Sequence, residues 1–152
     1  MKYRTARVGR WRRREFEAIA ALDDLCFPAD EALTWETFCA SAWWLVRCAG
    51  KIVAFASAVE VEGTVILTRA GVHPEHRGRN LQHRLITHRV EWARARAAKQ
   101  VLTYTVPNNA ASGNNLIKAG FRLFKPDTWP TGEAVCSGSF NHWRLKLEDR
   151  RD

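Results

Sequence analysis

Cysteine is sparse and scattered in this chain of 152 residues: Cys26, Cys39, Cys48 and Cys136 form no CxxC pair. Neither a zinc site nor a disulfide scaffold is expected, and reduced, mostly buried thiols follow. Long apolar runs are missing too. None approaches the roughly 18–20 residues that a membrane span needs, and Lys2, Arg4, Arg7 and Arg10 precede no apolar stretch of the kind a secretory leader carries. A cytoplasmic protein without membrane association is expected. There is no P-loop pattern and no GxGxxG, which removes the common nucleotide-binding fingerprints. His73 and His76 sit at a spacing that fits no zinc signature, so no metal is expected. Acids are the minority charge, 16 Asp plus Glu against 24 Lys plus Arg, and the net charge of +8 implies an anionic partner.

What is present describes a soluble globular protein, with 46% hydrophobic and 26% charged residues. No repeat, linker or second core is visible. One domain over residues 1–152 is expected, large enough to bury about 68–70% of its unfolded surface. The cluster Arg10, Arg12, Arg13, Arg14 reads as solvated helix surface or as a face for an acidic substrate or nucleic acid.

Tyr3 to Val8 reads as an edge strand with weak alternation. From Trp11 onward, Phe16, Ile19, Leu22 and Leu25 are read as one helical face, ended at Cys26-Phe27-Pro28 because the residue before proline avoids the helical region. The loop Ala29-Asp30-Glu31 follows, then Thr34 as N-cap of a short helix through about Ala40. Trp43 to Cys48 and Ile52 to Val59 read as a hairpin joined at Ala49-Gly50-Lys51. A turn at Glu62-Gly63 leads to a strand from Thr64 to Val72. Val101 to Val106 is a β-branched strand that follows a long helix, so a right-handed crossover should set it parallel to its predecessor. Phe121 to Phe124, the loop Lys125 to Ser139 and the strand Phe140 to Leu147 complete the sheet, and Glu148 to Asp152 reads as a frayed end. Trp129-Pro130 either covers a pocket or anchors a surface loop.

The stretch from Ile66 to Arg96 organises the rest. Pro74 stops the strand, Gly78 allows a tight path, and Asn80 tolerates positive φ. Leu81, Leu85, Val90, Ala93 and Ala97 then recur at helical spacing beside an arginine-rich face. A helix N-terminus with Arg77 and Arg79 close by attracts phosphate.

The run Val72-His73-Pro74-Glu75-His76-Arg77-Gly78-Arg79-Asn80-Leu81-Gln82-His83-Arg84-Leu85-Ile86 resembles the acyl-CoA-binding motif of the GNAT superfamily of N-acetyltransferases. Asn109-Ala110-Ala111-Ser112-Gly113-Asn114-Asn115-Leu116-Ile117-Lys118-Ala119-Gly120-Phe121 resembles that superfamily's next motif. The resemblance implies a mixed, mostly antiparallel α/β (α+β) sheet flanked by helices and splayed between the strands ending at Val72 and Val106 to admit acetyl-CoA. It implies acetyl transfer directly to an amine of a small-molecule or protein acceptor.

By the same resemblance, the backbone N–H near Val72 is the oxyanion donor, and the diphosphate lies over the amides of Gly78, Arg79, Asn80, Leu81 and Gln82 with Arg77 and Arg79 as counter-charges. Asn109 would meet the pantetheine arm; Ser112 would face the coenzyme or simply cap its helix. Asp30 and Glu31 would border the acceptor, or are solvated loop acids. Two departures stand out. Asn80 and Gln82 occupy positions where the family carries glycine, and Leu116 replaces the tyrosine that often protonates the leaving thiolate. Tyr104, one of only two tyrosines, is a substitute acid or a core residue on a β-prone strand. Glu60, Glu62 and Asp30 are rival bases for the amine. The departures motivate an alternative, an acyl-CoA-binding module without turnover. A basic nucleic-acid binder ranks last, because no stacking or finger motif is present. A homodimer is compatible with the sequence, which leaves oligomeric state open.

Overall fold

The structure is a computed structural model, and it describes residues 2–132 and 139–147. Cys136, part of the predicted 125–139 loop and the predicted frayed end at 148–152 lie outside the described residues. The chain is mixed α/β, with a seven-stranded, mostly antiparallel sheet flanked by helices and ordered β1-β2-β3-β4-β5-β7-β6. It divides into two compact units, Met1–Val59 with Thr68–Leu85, and Glu60–Leu67 with Ile86–Asp152.

The first unit begins with β1 (Tyr3–Arg7), an edge strand antiparallel to β2 (Ala42–Cys48). Between them lie α1 (Arg13–Cys26) and α2 (Trp35–Cys39). Thr34 caps α2, its hydroxyl accepting from the Thr37 amide at 3.2 Å. β2 turns into β3 (Lys51–Val61) through Ala49 and Gly50, with φ of 51° and 78°. That pair of positive φ values marks a two-residue turn of the type whose twist matches a hairpin. The core gathers Ile19, Leu22, Leu33, Phe38, Trp43, Leu45 and Phe55. Phe38 and Trp43 rings lie 5.4 Å apart, and the Trp43 indole donates to the Phe38 carbonyl at 2.8 Å, so its polar edge is satisfied inside the core.

The buried face of α1 differs from the sequence expectation. Leu25 is 52% exposed, whereas Asp23 is 2% exposed. Successive i+3 steps lag behind a helix that advances about 100° per residue, so three of them carry Leu25 to the far side from Phe16. Asp23 and Cys26, four residues beyond Ile19 and Leu22, stay on the inner arc.

β4 (Thr64–Val72), of which Thr64–Leu67 belongs to the second unit, starts after the turn at Glu62 and Gly63, with φ of 48° and 79°. It pairs in parallel with β5 (Gln100–Thr105) over three residues, Thr64–Ile66 against Gln100–Leu102. The ladder stops there, and the Leu67 carbonyl instead accepts from the Thr103 hydroxyl at 3.1 Å. The crossover is α3 (Leu81–Ala95), whose buried positions include Leu81, Leu85, Ile86, Val90 and Ala93. Ala97 is not part of that stripe: it is exposed, with φ of 56°, in the turn that ends the helix. α4 (Ala110–Lys118), β6 (Arg122–Phe124) and β7 (Asn141–Lys146) complete the unit, with β7 antiparallel to both β5 and β6.

The Lys118-Ala119-Gly120-Phe121 run has a plain physical role. Gly120 takes φ of 95°, its amide donates to the Ile117 carbonyl at 3.0 Å, and the Phe121 amide reaches back to Leu116 at 3.0 Å. This is a Schellman ending: a left-handed residue lets two amides return to the last turn, and the next side chain packs against it. Phe121 and Leu116 are both buried.

Candidate functional site

The end of β4 is built by close packing. A Cβ on Gly71 would lie 2.8 Å from the Phe55 ring and 3.1 Å from the Cys26 sulfur, so glycine here permits close approach. The next residue, Val72, is held through its carbonyl oxygen. The Arg77 Nε donates to it at 3.2 Å and the Cys26 thiol at 3.4 Å. The following amide, His73 N–H, donates to the Val53 carbonyl at 2.8 Å. Both polar groups of the Val72–His73 peptide are thus fixed. Burial pushes the Cys26 thiol up from its ordinary pKa, opposed by Arg77. Below the raised value the thiol stays protonated, as its bond to a carbonyl requires.

The loop that leaves β4 is tied down by its histidines. Pro74–His76 forms a 3-10 turn, and the His73 Nδ1 accepts from the Glu75 amide at 3.1 Å. The Tyr3 hydroxyl and His76 Nδ1 share a hydrogen bond of 3.0 Å. No group of three or more His, Cys, Asp or Glu that could hold a metal ion occurs among the described residues. Gly78 and Asn80 then take φ of 76° and 64°. Asn80 adopts the left-handed conformation expected of it, and its carbonyl receives the Arg84 amide at 3.2 Å, the first bond of α3. Leu81 and Leu85, both buried, seat that first turn, and Arg84 donates to the Tyr3 carbonyl at 3.3 Å. Arg79 is exposed and Gln82 half-buried.

Sequence reasoning passed over Asp23 and Arg69. The Arg69 Nη1 lies 2.5 Å from Asp23 Oδ2, and its Nη2 donates to the Glu31 carbonyl at 3.2 Å. One guanidinium therefore joins α1, β4 and the loop between α1 and α2. The other carboxylate oxygen, Asp23 Oδ1, is buried with no hydrogen-bond partner. Burial raises the Asp23 pKa, and Arg69 opposes the shift. The available signal was an acid four residues after Ile19, on the arc that should have been apolar. Glu31 is engaged through its carbonyl, while Asp30 donates its amide to the Phe27 carbonyl at 3.1 Å. Both side chains are exposed.

In the second unit, Asn109 rather than Ser112 caps α4: the Asn109 Oδ1 accepts from the Ser112 amide at 3.2 Å. Leu116 is 4% exposed and belongs to the core. Tyr104 is 37% exposed, which sets aside its reading as a core residue; its ring lies 4.9 Å from Phe140 and 6.0 Å from Trp129. Trp129 is itself buried and packs 5.4 Å from the His142 ring, so it anchors its loop. Among the rival bases, Glu60 is paired with Arg96, and Glu62 lies in the turn that starts β4, at the opposite end of that strand from Val72.

A model of the acetyltransferase (GNAT) family matches residues 6–121, and the chain belongs to that family. No match was found among curated proteins. Solved structures with the same fold include the ribosomal-protein-S18-alanine N-acetyltransferase from Escherichia coli, 14% identical, with 99% of this chain and 97% of that one covered at a TM-score of 0.77. An acetyltransferase from Bacillus subtilis in complex with CoA is 14% identical over 97% of this chain and 100% of that one, TM-score 0.72. The PaiA N-acetyltransferase from Thermoplasma acidophilum in complex with coenzyme A is 10% identical over the same shares, 97% and 100%, TM-score 0.75.

Proposed function

We propose that the chain transfers an acetyl group from acetyl-CoA directly to an amine. The observation that carries the reading is the left-handed pair Gly78 and Asn80 at the mouth of α3, with φ of 76° and 64°. These two left-handed residues bend the chain sharply into α3, whose unpaired first-turn amides form a nest for anions, and the positive end of the helix adds to it. A diphosphate over the amides of Gly78 to Gln82 is the ligand such a nest suits, with Arg79 as an exposed counter-charge. Gln82 sits in the first helical turn, and no hydrogen bond occupies its side chain among the described residues. Its amide is available as a further donor to phosphate.

The coenzyme supplies the acyl thioester. This chain supplies the Val72 backbone N–H as donor to the negative charge that builds on the carbonyl oxygen during transfer. Fixing the neighbouring peptide through Cys26, Arg77 and Val53 holds that donor in place without reorganisation. Asp30 and Glu31, exposed acids on a loop anchored by Arg69, attract the cationic acceptor; Asp30 is the remaining candidate to take its proton directly or through water. For the second unit we assign the Asn109 amide nitrogen to the pantetheine amides, Ser112 to the coenzyme, and the Tyr104 hydroxyl to protonation of the leaving thiolate. Leu116 offers no such proton, and a thiol of pKa about 8.5 departs tolerably as thiolate near neutrality. The acceptor is a small molecule or a protein amine.

A thermal-shift titration with acetyl-CoA, followed by thiol release across a panel of amines, tests the reading. Stabilisation with thiol release on at least one amine is expected. Absence of a shift at millimolar coenzyme rejects it, and binding without release on every amine assigns the chain to coenzyme binding without turnover. Replacing Gln82 by Gly tests the donor role: tighter coenzyme binding would reject it.

A further inference from the structure

A second concentration of positive charge lies apart from the β4–α3 loop. A cavity of about 380 Å³ is lined by Arg7, Val8, Gly9, Arg10, Arg12, Glu15, Leu45 and Arg47. Arg10, Arg12 and Arg47 bring positive charge to its wall beside a single carboxylate, while the Arg7 guanidinium lies 5.9 Å from the centroid of the Trp44 ring. Glu15 enters none of the ion pairs found among the described residues, and its Oε2 is buried without a hydrogen-bond partner. Arg10, Arg12 and Arg47 enter none of those pairs either.

Arg47 also has a like-charged neighbour outside the cavity lining. Arg47 on β2 lies directly opposite Arg4 on β1, a like-charge cross-strand pair of the kind that destabilises a sheet. The β2–β3 register shifts between Val46 and Arg47, which face Ala54 and Ile52, so the extra residue, Val53, belongs to β3. Arginines crowded this way repel one another unless an anion sits among them. Guanidinium forks match phosphate oxygens two at a time, which favours phosphate over a compact point charge.

We propose that this cavity binds a small anion carrying two or more phosphate groups. The size is set by the volume, which suits a short polyphosphate chain. A nucleic-acid strand is disfavoured because no aromatic ring lines the cavity, and sequence-tolerant strand binding relies on base stacking as well as charge. The site is separate from the proposed coenzyme loop in its residues, and it stands whether or not that loop binds acetyl-CoA.

The test is calorimetric titration of tripolyphosphate into the full chain, for the wild type, Arg12→Ala/Arg47→Ala, Arg47→Lys and Arg79→Ala, each first checked by thermal melting. A binding event that survives Arg79→Ala is expected in the wild type, and it is weakened by at least about tenfold in the double variant, since each charged hydrogen bond lost is worth about that factor. Arg47→Lys should retain an intermediate affinity, because it keeps the charge and loses the fork. Equal affinity in wild type and double variant overturns the proposal, as does loss of binding in Arg79→Ala alone, which would assign the anion to the coenzyme loop. Binding of an oligonucleotide that tripolyphosphate fails to displace also overturns it, in favour of a nucleic-acid face.

Discussion

The Arg77 Nε lies 3.2 Å from the Val72 carbonyl oxygen, so the first arginine of the β4–α3 loop is turned back on the strand that precedes it. The resemblance cast Arg77 as a counter-charge for diphosphate; its observed bond makes it a clamp on the peptide beside the proposed oxyanion donor. The two roles separate in kinetics. Arg77→Lys preserves charge but cannot reproduce the Nε geometry. As a clamp, Arg77 should show a fall in kcat of about 10- to 100-fold on this change, with the KM for acetyl-CoA nearly unchanged, since a charged hydrogen bond is worth about 1.5–3 kcal/mol. A raised KM with intact kcat would return Arg77 to the counter-charge role.

Gly71 is the point where β4 meets the core, and any side chain there collides with Phe55 and Cys26. Gly71→Ala should destabilise the fold by about 1–3 kcal/mol, the range for an extra methyl forced into a packed site. Because the nearest obstacle is the Phe55 ring edge, combining the change with Phe55→Leu should recover part of the loss. Denaturant unfolding of the two single variants and the double variant reads the coupling. Purely additive losses would mean the strand, not the ring, absorbs the collision.

Local chemistry was the legible part of this sequence. The turn at Glu62-Gly63, the Thr34 cap and the left-handed Asn80 each follow from a few neighbouring residues, and each appears as expected, while the Ala49-Gly50-Lys51 connection is shorter by one residue because Lys51 opens β3. What failed was assignment among near neighbours. The series Phe16, Ile19, Leu22, Leu25 puts Leu25 on the buried face of α1, yet phase along the helix buries Asp23 instead. Ser112 was credited with a cap that Asn109 makes, three residues earlier, because both are good cap formers and sequence does not give the first helical residue. The Asp23–Arg69 pair joins residues 46 apart, a distance across which no periodicity speaks.

The end of α3 carries a correctable flaw. Ala97 occupies the left-handed position of a Schellman ending, φ 56°, with the Ala98 amide on the Ala93 carbonyl and the Ala97 amide on Arg94, both at 3.0 Å. An L-residue there is strained by roughly 1–2 kcal/mol, of which glycine returns a part as unfolded-state entropy. Ala97→Gly should therefore stabilise the protein by about 1 kcal/mol and raise Tm by about 2–4 °C. Calorimetric melting decides it; a lower Tm would show that the entropy of glycine outweighs the strain.

Asp23 makes stability depend on pH in a direction opposite to that of an ordinary surface ion pair. Burial raises its pKa above the ordinary 3.8 even with Arg69 beside it. The native state then holds the proton more tightly than the unfolded chain. Its stabilising contribution is complete below pH 3.8 and is lost as pH rises through the raised native value. Asp23→Asn cannot titrate, so the stability of wild type minus that of Asp23→Asn should fall with rising pH from about 4 and level off once the native pKa is passed. Denaturant midpoints for the two proteins across that range measure the difference. A difference that grew with pH would mean that attraction to Arg69 outweighs burial. Arg69→Met sharpens the test: without its guanidinium the native pKa should climb further, and the decline should extend to higher pH.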